Sequence, residues 1–362
     1  MREKLINQFE IPSETVTLPP NANRGVENTE VFEQIAFDDL LKNQYNGMVG
    51  SIDYLEFTVF DFSLPDDVIK YILELEPADF IDLERGGGGY PKMWRYNGGD
   101  IRILHGADIE KMGIHVTITG DGCKCLFAKV LPSVLFYNFL EYKVNVTRMD
   151  LALDNFDDIY YYPSDLDLYV NNSLISSRWR TCRFMHEKTM QGVVTGSTFY
   201  LGSTTSDLFC RVYDKRLEQS SKGIEIDREW VRWELVFKRD RAQAVFVELM
   251  NNDFQLGETF AGVLTNYFNI LEPSNDSNRS RWAFDRKWKR FIGEVKPIRL
   301  YRIIKERNID TIKMWVVKQV MPSLSTIMQA EDSLDWIVSE IFANQNRLSP
   351  RHIRLIDEYK AG

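Results

Sequence analysis

Three short stretches of this sequence carry ionisable side chains at every second position, the spacing that puts them on one face of a strand. Residues 147–154 set Arg148, Asp150 and Asp154 opposite Met149, Leu151 and Leu153. Residues 207–217 set Arg211, Tyr213 and Lys215 opposite Leu208, Cys210 and Val212. Residues 229–238 set Arg232, Glu234 and Lys238 opposite Val231, Trp233, Leu235 and Phe237. Clustered carboxylates suit a hard divalent cation, which would polarise a phosphodiester and offset the charge developing on it. A tyrosine hydroxyl is a weak nucleophile at its free pKa of about 10, and neighbouring cations favour the phenolate. Guanidinium groups hold phosphate oxygens two at a time. The combination fits attack by Tyr213 on a DNA phosphate. Two plainer readings stand beside it: carboxylates that merely pair with Arg148 and Arg232, and residues 207–217 as an edge strand with a wet basic face.

The elements that position these residues follow from the same alternation. Each strand has one strongly apolar face, so the sheet packs helices on one side and presents charge on the other. Residues 51–60, rich in aromatic and β-branched types, read as a first strand, followed by a helix with Val68, Ile69, Ile72 and Leu75 at helical spacing. Short strands are expected at 93–96, 101–104 and 114–119, then an apolar helix at 131–142. The four glycines from Gly86 to Gly89 lack the Lys-Ser/Thr pair of a phosphate-cradling loop and read as a hairpin tip. This order predicts an α+β fold with an antiparallel, ferredoxin-like sheet. Residues 1–48 read as an extended arm, 49–275 as the domain carrying the site, and 276–362 as a helical, basic C-terminal domain.

Composition narrows the partners. The chain has 362 residues, 44% hydrophobic, so a substantial core is available. A net charge of −9 confines any nucleic-acid contact to a local patch. One such patch is evident: residues 276–318 hold thirteen Lys or Arg against five Asp or Glu, a balance of +8. Within it, Arg279, Arg281, Arg286, Lys287, Lys289 and Arg290 would track a DNA backbone while Trp282, Phe284 or Trp288 stacks on bases. An amphipathic helix with its aromatics in the core is an equal reading. The four cysteines show no C-x-x-C spacing and read as reduced thiols of a cytoplasmic protein. No apolar run approaches the ~20 residues that span a bilayer.

Histidine limits the metal chemistry. His105, His115, His186 and His352 include no two that are two residues apart, so a paired-histidine metal site on one strand is ruled out. His115 reads equally as a single ligand and as a structural histidine.

The assembled pieces resemble the replication initiation factor family, which holds rolling-circle plasmid initiators and relaxases of conjugative elements. The matching segments are 52–58, 113–123, 147–154, 211–218 and 232–238, in family order, and residues 315–324 resemble the C-terminal region of the chromosomal-element members. The resemblance implies an HUH-endonuclease-like sheet and a single-tyrosine nicking and joining enzyme that stays linked to the 5′ end of an origin strand. Tyr213 would be the nucleophile, assisted by Arg211 and Lys215. Acidic residues on the neighbouring strands, Asp150 and Glu234 and then Asp154, would bind Mg²⁺ or Mn²⁺; His115 stays open as one further ligand, and Arg148 and Arg232 are candidates to hold DNA. Related chains often carry a glutamate where this one has Thr117. Single-stranded or hairpin origin DNA, a host helicase and a second copy in a homodimer are the implied partners, with no membrane. The competing class is a non-catalytic origin-binding protein of a mobile element.

Overall fold

The structure is a computed structural model that describes residues 44–300 and parts of 309–361. Residues 1–43, which hold most of the expected arm, lie outside the described residues, as does Asp310, whose place before Ile312, Trp315 and Val316 reads as a helix cap.

In chain order the strands are β1 (Gln44–Tyr45), β2 (Met48–Val59), β3 (Phe80–Asp82), β4 (Lys92–Tyr96), β5 (Ile101–His105), β6 (Ile114–Ile118), β7 (Val144–Phe156), β8 (Ile175–Ser177), β9 (Cys182–Lys188), β10 (Val194–Leu201), β11 (Leu208–Asp214), β12 (Trp230–Lys238) and β13 (Phe268–Ile270). Eleven of them form one sheet in the order β3-β4-β5-β6-β2-β7-β12-β11-β10-β9, with β1 paired to β2; β8 and β13 make a separate pair. Every pairing is antiparallel, as the alternation predicted.

The apolar faces bury as the patterning requires. Leu55, Phe57, Met149, Leu151, Leu153, Trp233, Leu235 and Phe237 are shut away from water. Against them pack the helices Pro132–Glu141, Asp240–Asn251 and Leu256–Tyr267, whose Phe136, Phe139, Phe246 and Phe260 are also buried. Phe57 and Phe139 meet with ring centroids 4.4 Å apart, and Phe136 meets Phe246 edge-on at 5.4 Å. Each such side chain contributes roughly 1.5–3 kcal/mol by leaving water, so this layer dominates the stability of the sheet. The glycine run forms a turn: the Tyr90 amide donates to the Gly87 carbonyl at 2.9 Å, and Gly88 and Gly89 take φ of +59° and +91°. Glycine adopts such angles without the penalty that a Cβ brings.

The basic stretch is also built into this layer. Asp285 caps the helix Arg286–Ile292 by accepting from the Lys287 and Trp288 amides. Trp288 and Phe291 are fully buried, stacked on each other at 5.2 Å and packed on Trp233 and Tyr161. The Trp288 indole donates to Asn269 at 3.1 Å. Further along, the Ser333 hydroxyl accepts from the Asp335 amide and caps the helix Asp335–Ala343.

Candidate active site

The three charged stretches lie side by side as β7, β12 and β11. Tyr213 pairs with Arg232, which pairs with Asp154; Arg211 pairs with Glu234, which pairs with Ala152. Asp150 sits diagonally from Glu234 on the same face, close enough for each carboxylate to feel the other. The site is buried: Glu234 is 0% exposed, Asp150 1% and Tyr213 9%.

Glu234 is the hub. Its Oε2 accepts the Tyr213 hydroxyl at 3.2 Å, and its Oε1 accepts both Nε and Nη2 of Arg211. Burial pushes the Tyr213 phenol well above its usual pKa, and the Glu234 charge adds to this against Arg232 and Arg211. The resting phenol is therefore neutral and hydrogen-bonded to the group best placed to take its proton. Burial likewise pushes Asp150 up to about 7, reinforced by Glu234 and opposed by Arg148, whose Nε and Nη2 donate to it at 3.0 and 2.7 Å.

Lys215 reaches the site by a route different from the expected one. The strand stops at Asp214, whose carboxylate accepts from the Leu217 amide at 2.9 Å and starts the helix Lys215–Ser221. A capping aspartate ends the alternation there. The helix still brings the Lys215 ammonium to 5.3 Å from the Tyr213 ring centroid, with Glu218 at 2.5 Å. Burial lowers the Lys215 pKa, and Arg232 lowers it further.

Arg232, expected at DNA, is buried and committed elsewhere. Its Nε and Nη2 each donate to Asp154 at 2.7 Å, and its Nη1 donates to Asp53. Asp154, expected at a metal, accepts this fork and the Trp230 indole at 2.6 Å. Asp53 escaped the sequence reading. A bulge between Ile52 and Tyr54 turns Asp53 and Tyr54 to the same face, which strict alternation forbids. Burial works against the Asp53 charge, but Arg232 and Lys215 outweigh it and hold the carboxyl below its usual range. Arg148 stacks 3.9 Å from the Tyr54 ring centroid, and the Tyr54 hydroxyl donates to Glu56 at 2.8 Å.

His115, on β6 beyond β2, is held apart from Asp150 and Glu234. Its Nδ1 shares a hydrogen bond with the Thr58 hydroxyl at 3.0 Å, and burial lowers its pKa. Among the described residues no three His, Cys, Asp or Glu side chains form a ready-made ligand set. Magnesium-type cations need only one or two carboxylates, completed by water and phosphate oxygens. Asp150 and Glu234 meet that demand: their oxygens keep spare lone pairs, and a cation would relieve the repulsion that raises Asp150.

In the basic stretch, Trp288 is a core residue, so the expected base stacking is closed to it. Trp282 is half-buried, with its indole donating to the Asp276 carbonyl at 2.6 Å. Arg279 donates to the carbonyls of Ser173 and Ile175, Arg281 lies 3.5 Å from Asp276, and Lys287 lies over the Tyr161 ring. Arg286, Lys289 and Arg290 are exposed.

Residues 144–341 match the family model for the replication initiation factor, more than half of the chain. The chain belongs to the replication initiation factor family. Residues 50–142 match the N-terminal domain of rolling-circle replication initiation proteins. Family membership makes this chain a rolling-circle initiator or relaxase, a class of DNA-processing proteins. Over 358 residues it is 26% identical to "Putative DNA relaxase NicK" of Bacillus subtilis (strain 168), covering 95% of this chain and 96% of that one. It is 31% identical to the solved rolling-circle replication initiator protein of Geobacillus stearothermophilus, with a TM-score of 0.62. That match covers 71% of this chain and all of the other. The family fold is thus the α+β, antiparallel one expected. Among the described residues no single helix is long and apolar enough to cross a membrane.

Proposed function

We propose that this family member, working in the cytoplasm, nicks and rejoins one strand of origin DNA through Tyr213. The observation that carries the reading is the 3.2 Å hydrogen bond from the Tyr213 hydroxyl to Glu234, with Arg211 and Lys215 flanking the ring. In the forward step the phenolic oxygen attacks phosphorus and its proton passes to Glu234 Oε2. The bond to the 3′ oxygen breaks and that oxygen takes a proton from water, leaving a 3′ hydroxyl on one end and a 5′-phosphotyrosine on the other. Rejoining reverses each transfer, so the strand is resealed without an outside energy source. Arg211 and Lys215 favour the developing phenolate and hold phosphate oxygens. Asp150 and Glu234 would hold Mg²⁺ or Mn²⁺, which supplies Lewis acidity towards the phosphoryl oxygens. The Arg232 fork between Asp154 and Asp53 fixes β12 beneath the nucleophile. A host helicase and a second copy of the chain complete the partners of this reading, and the exposed Arg286, Lys289 and Arg290 serve duplex contacts.

The test is incubation with single-stranded origin DNA and Mn²⁺, followed by denaturing electrophoresis. An adduct seen in the wild type and lost in Tyr213→Phe is the expected result. Cleavage that persists in Tyr213→Phe would assign the reaction to water instead. Glu234→Gln should slow adduct formation about 10²- to 10⁴-fold, the range for a lost general base.

A further inference from the structure

Beyond Tyr213 the sheet continues into an edge that the chemistry above leaves unused. On β10, Tyr200 pairs with Arg211 of β11 on one side and with Arg183 of β9 on the other. Thr198 likewise links Tyr213 to Met185. Alternation therefore sets Arg183, Tyr200 and Arg211 in one row, and Met185, Thr198 and Tyr213 in the next, on the nucleophile's own face. Phe184 points the other way and packs on buried Phe199 at 6.2 Å.

Arg183 differs from the site's other arginines. Arg148, Arg211 and Arg232 each hold a carboxylate, whereas Arg183 has none among the described residues. Its guanidinium lies 4.8 Å from the centroid of the Tyr200 ring, on an exposed edge strand. Free cation and aromatic face together are what a single nucleic-acid strand uses: a phosphate meets the guanidinium and a base stacks on the ring. Strands lie about 4.8 Å apart, so β9 is only about 10 Å from β11, within reach of nucleotides next to the attacked phosphate. Glu187, two residues beyond Met185 on that face, closes the cationic row in the other direction.

We propose that Arg183 and Tyr200 form a subsite for the single-stranded DNA that flanks the phosphate attacked by Tyr213. The proposal rests on the nicking reading, and two measurements separate them. The first is the affinity for a labelled single-stranded oligothymidine of about 16 nucleotides, the upper span of one such groove. Arg183→Ala and Tyr200→Leu should each weaken binding about tenfold, while Tyr200→Phe, which keeps the ring, stays within about twofold. Arg183→Ala should also lower the slope of log affinity against log salt by about 0.7. The second measurement is adduct formation at saturating origin DNA, which these variants should leave near the wild-type rate. Unchanged affinity in Arg183→Ala overturns the subsite, even where Tyr200→Leu folds poorly. A wild type that forms no adduct, yet loses oligothymidine affinity on Arg183→Ala, overturns the nicking reading and keeps the subsite.

Discussion

Between β2 and β7 the main sheet divides into two halves with the same succession of elements. In the first, β2 is followed by the helix Pro65–Tyr71, then by β4, β5 and β6, the last returning to lie beside β2. In the second, β7 is followed by the helix Pro163–Asn171, then by β10, β11 and β12, the last returning to lie beside β7. The polar faces of the two halves treat charge in opposite ways. The first half relies on a partly exposed pair and a neutral contact: Arg102, 44% exposed, pairs with Asp100, and His115 rests on the Thr58 hydroxyl. The second half buries its charges in mutual contact, Glu234 between Arg211 and Tyr213 and Arg232 on Asp154, with Asp53 reaching Arg232 across the seam from β2. One strand scaffold thus supports either an ordinary wet face or a reactive one. What decides between them is whether carboxylates occupy the central positions and are kept dry, because dry charges strongly shift proton affinities.

The largest test of this contrast is nucleophile removal. Tyr213→Phe should cut adduct formation by on the order of 10⁴ or more, as loss of a nucleophile does in other covalent enzymes. His115→Ala, on the polar face of the first half, should stay within about threefold. A comparable loss in both, measured by gel under identical conditions, would mean that the first half shares in the chemistry.

Stability gives the next contrast. Arg232→Ala strands two carboxylates in the core and should cost about 3–5 kcal/mol in urea unfolding. Arg102→Ala removes a partly exposed pair and should cost about 1 kcal/mol or less. Similar costs would show that the buried fork is no more than another surface pair.

The smallest contrast is in pH dependence, and its sign differs between the halves. Asp150 sits at about 7 in the fold, above an unfolded value of about 3.9, so the folded chain binds more protons between these pH values. Its contribution is full below about pH 4 and is lost as pH rises through 7. His115 is depressed by burial, so its contribution is full above its unfolded pKa of about 6.5 and is lost as pH falls. Melting curves without divalent cations should therefore show Asp150→Asn gaining on the wild type by several degrees from pH 5 to pH 8. His115→Gln should gain in the opposite direction. Mn²⁺ should raise the melting temperature of the wild type at pH 8 but not that of Asp150→Asn. A wild type indifferent to Mn²⁺ would remove Asp150 from the cation site.

Much of this was legible in residue order, because period-two alternation is a local property of a strand. It paired Arg148 with Asp150, Arg211 with Tyr213 and Arg232 with Glu234 on single faces, and it marked the apolar backs that the helices cover. The order of strands and helices likewise implied an antiparallel α+β sheet. Other features depend on contacts between distant segments. Asp53 enters the site only through a bulge, which breaks the very periodicity that reading relies on. Lys215 arrives on a helix because Asp214 caps it. Trp288 reads from sequence equally as a base-stacking residue and as a core residue, and the structure makes it core, with Trp233, Tyr161 and Phe291 around it. Sequence determined which side chains share a strand face. Tertiary structure decided which of them are dry and whom they touch, because burial and pairing are set by neighbours on other strands.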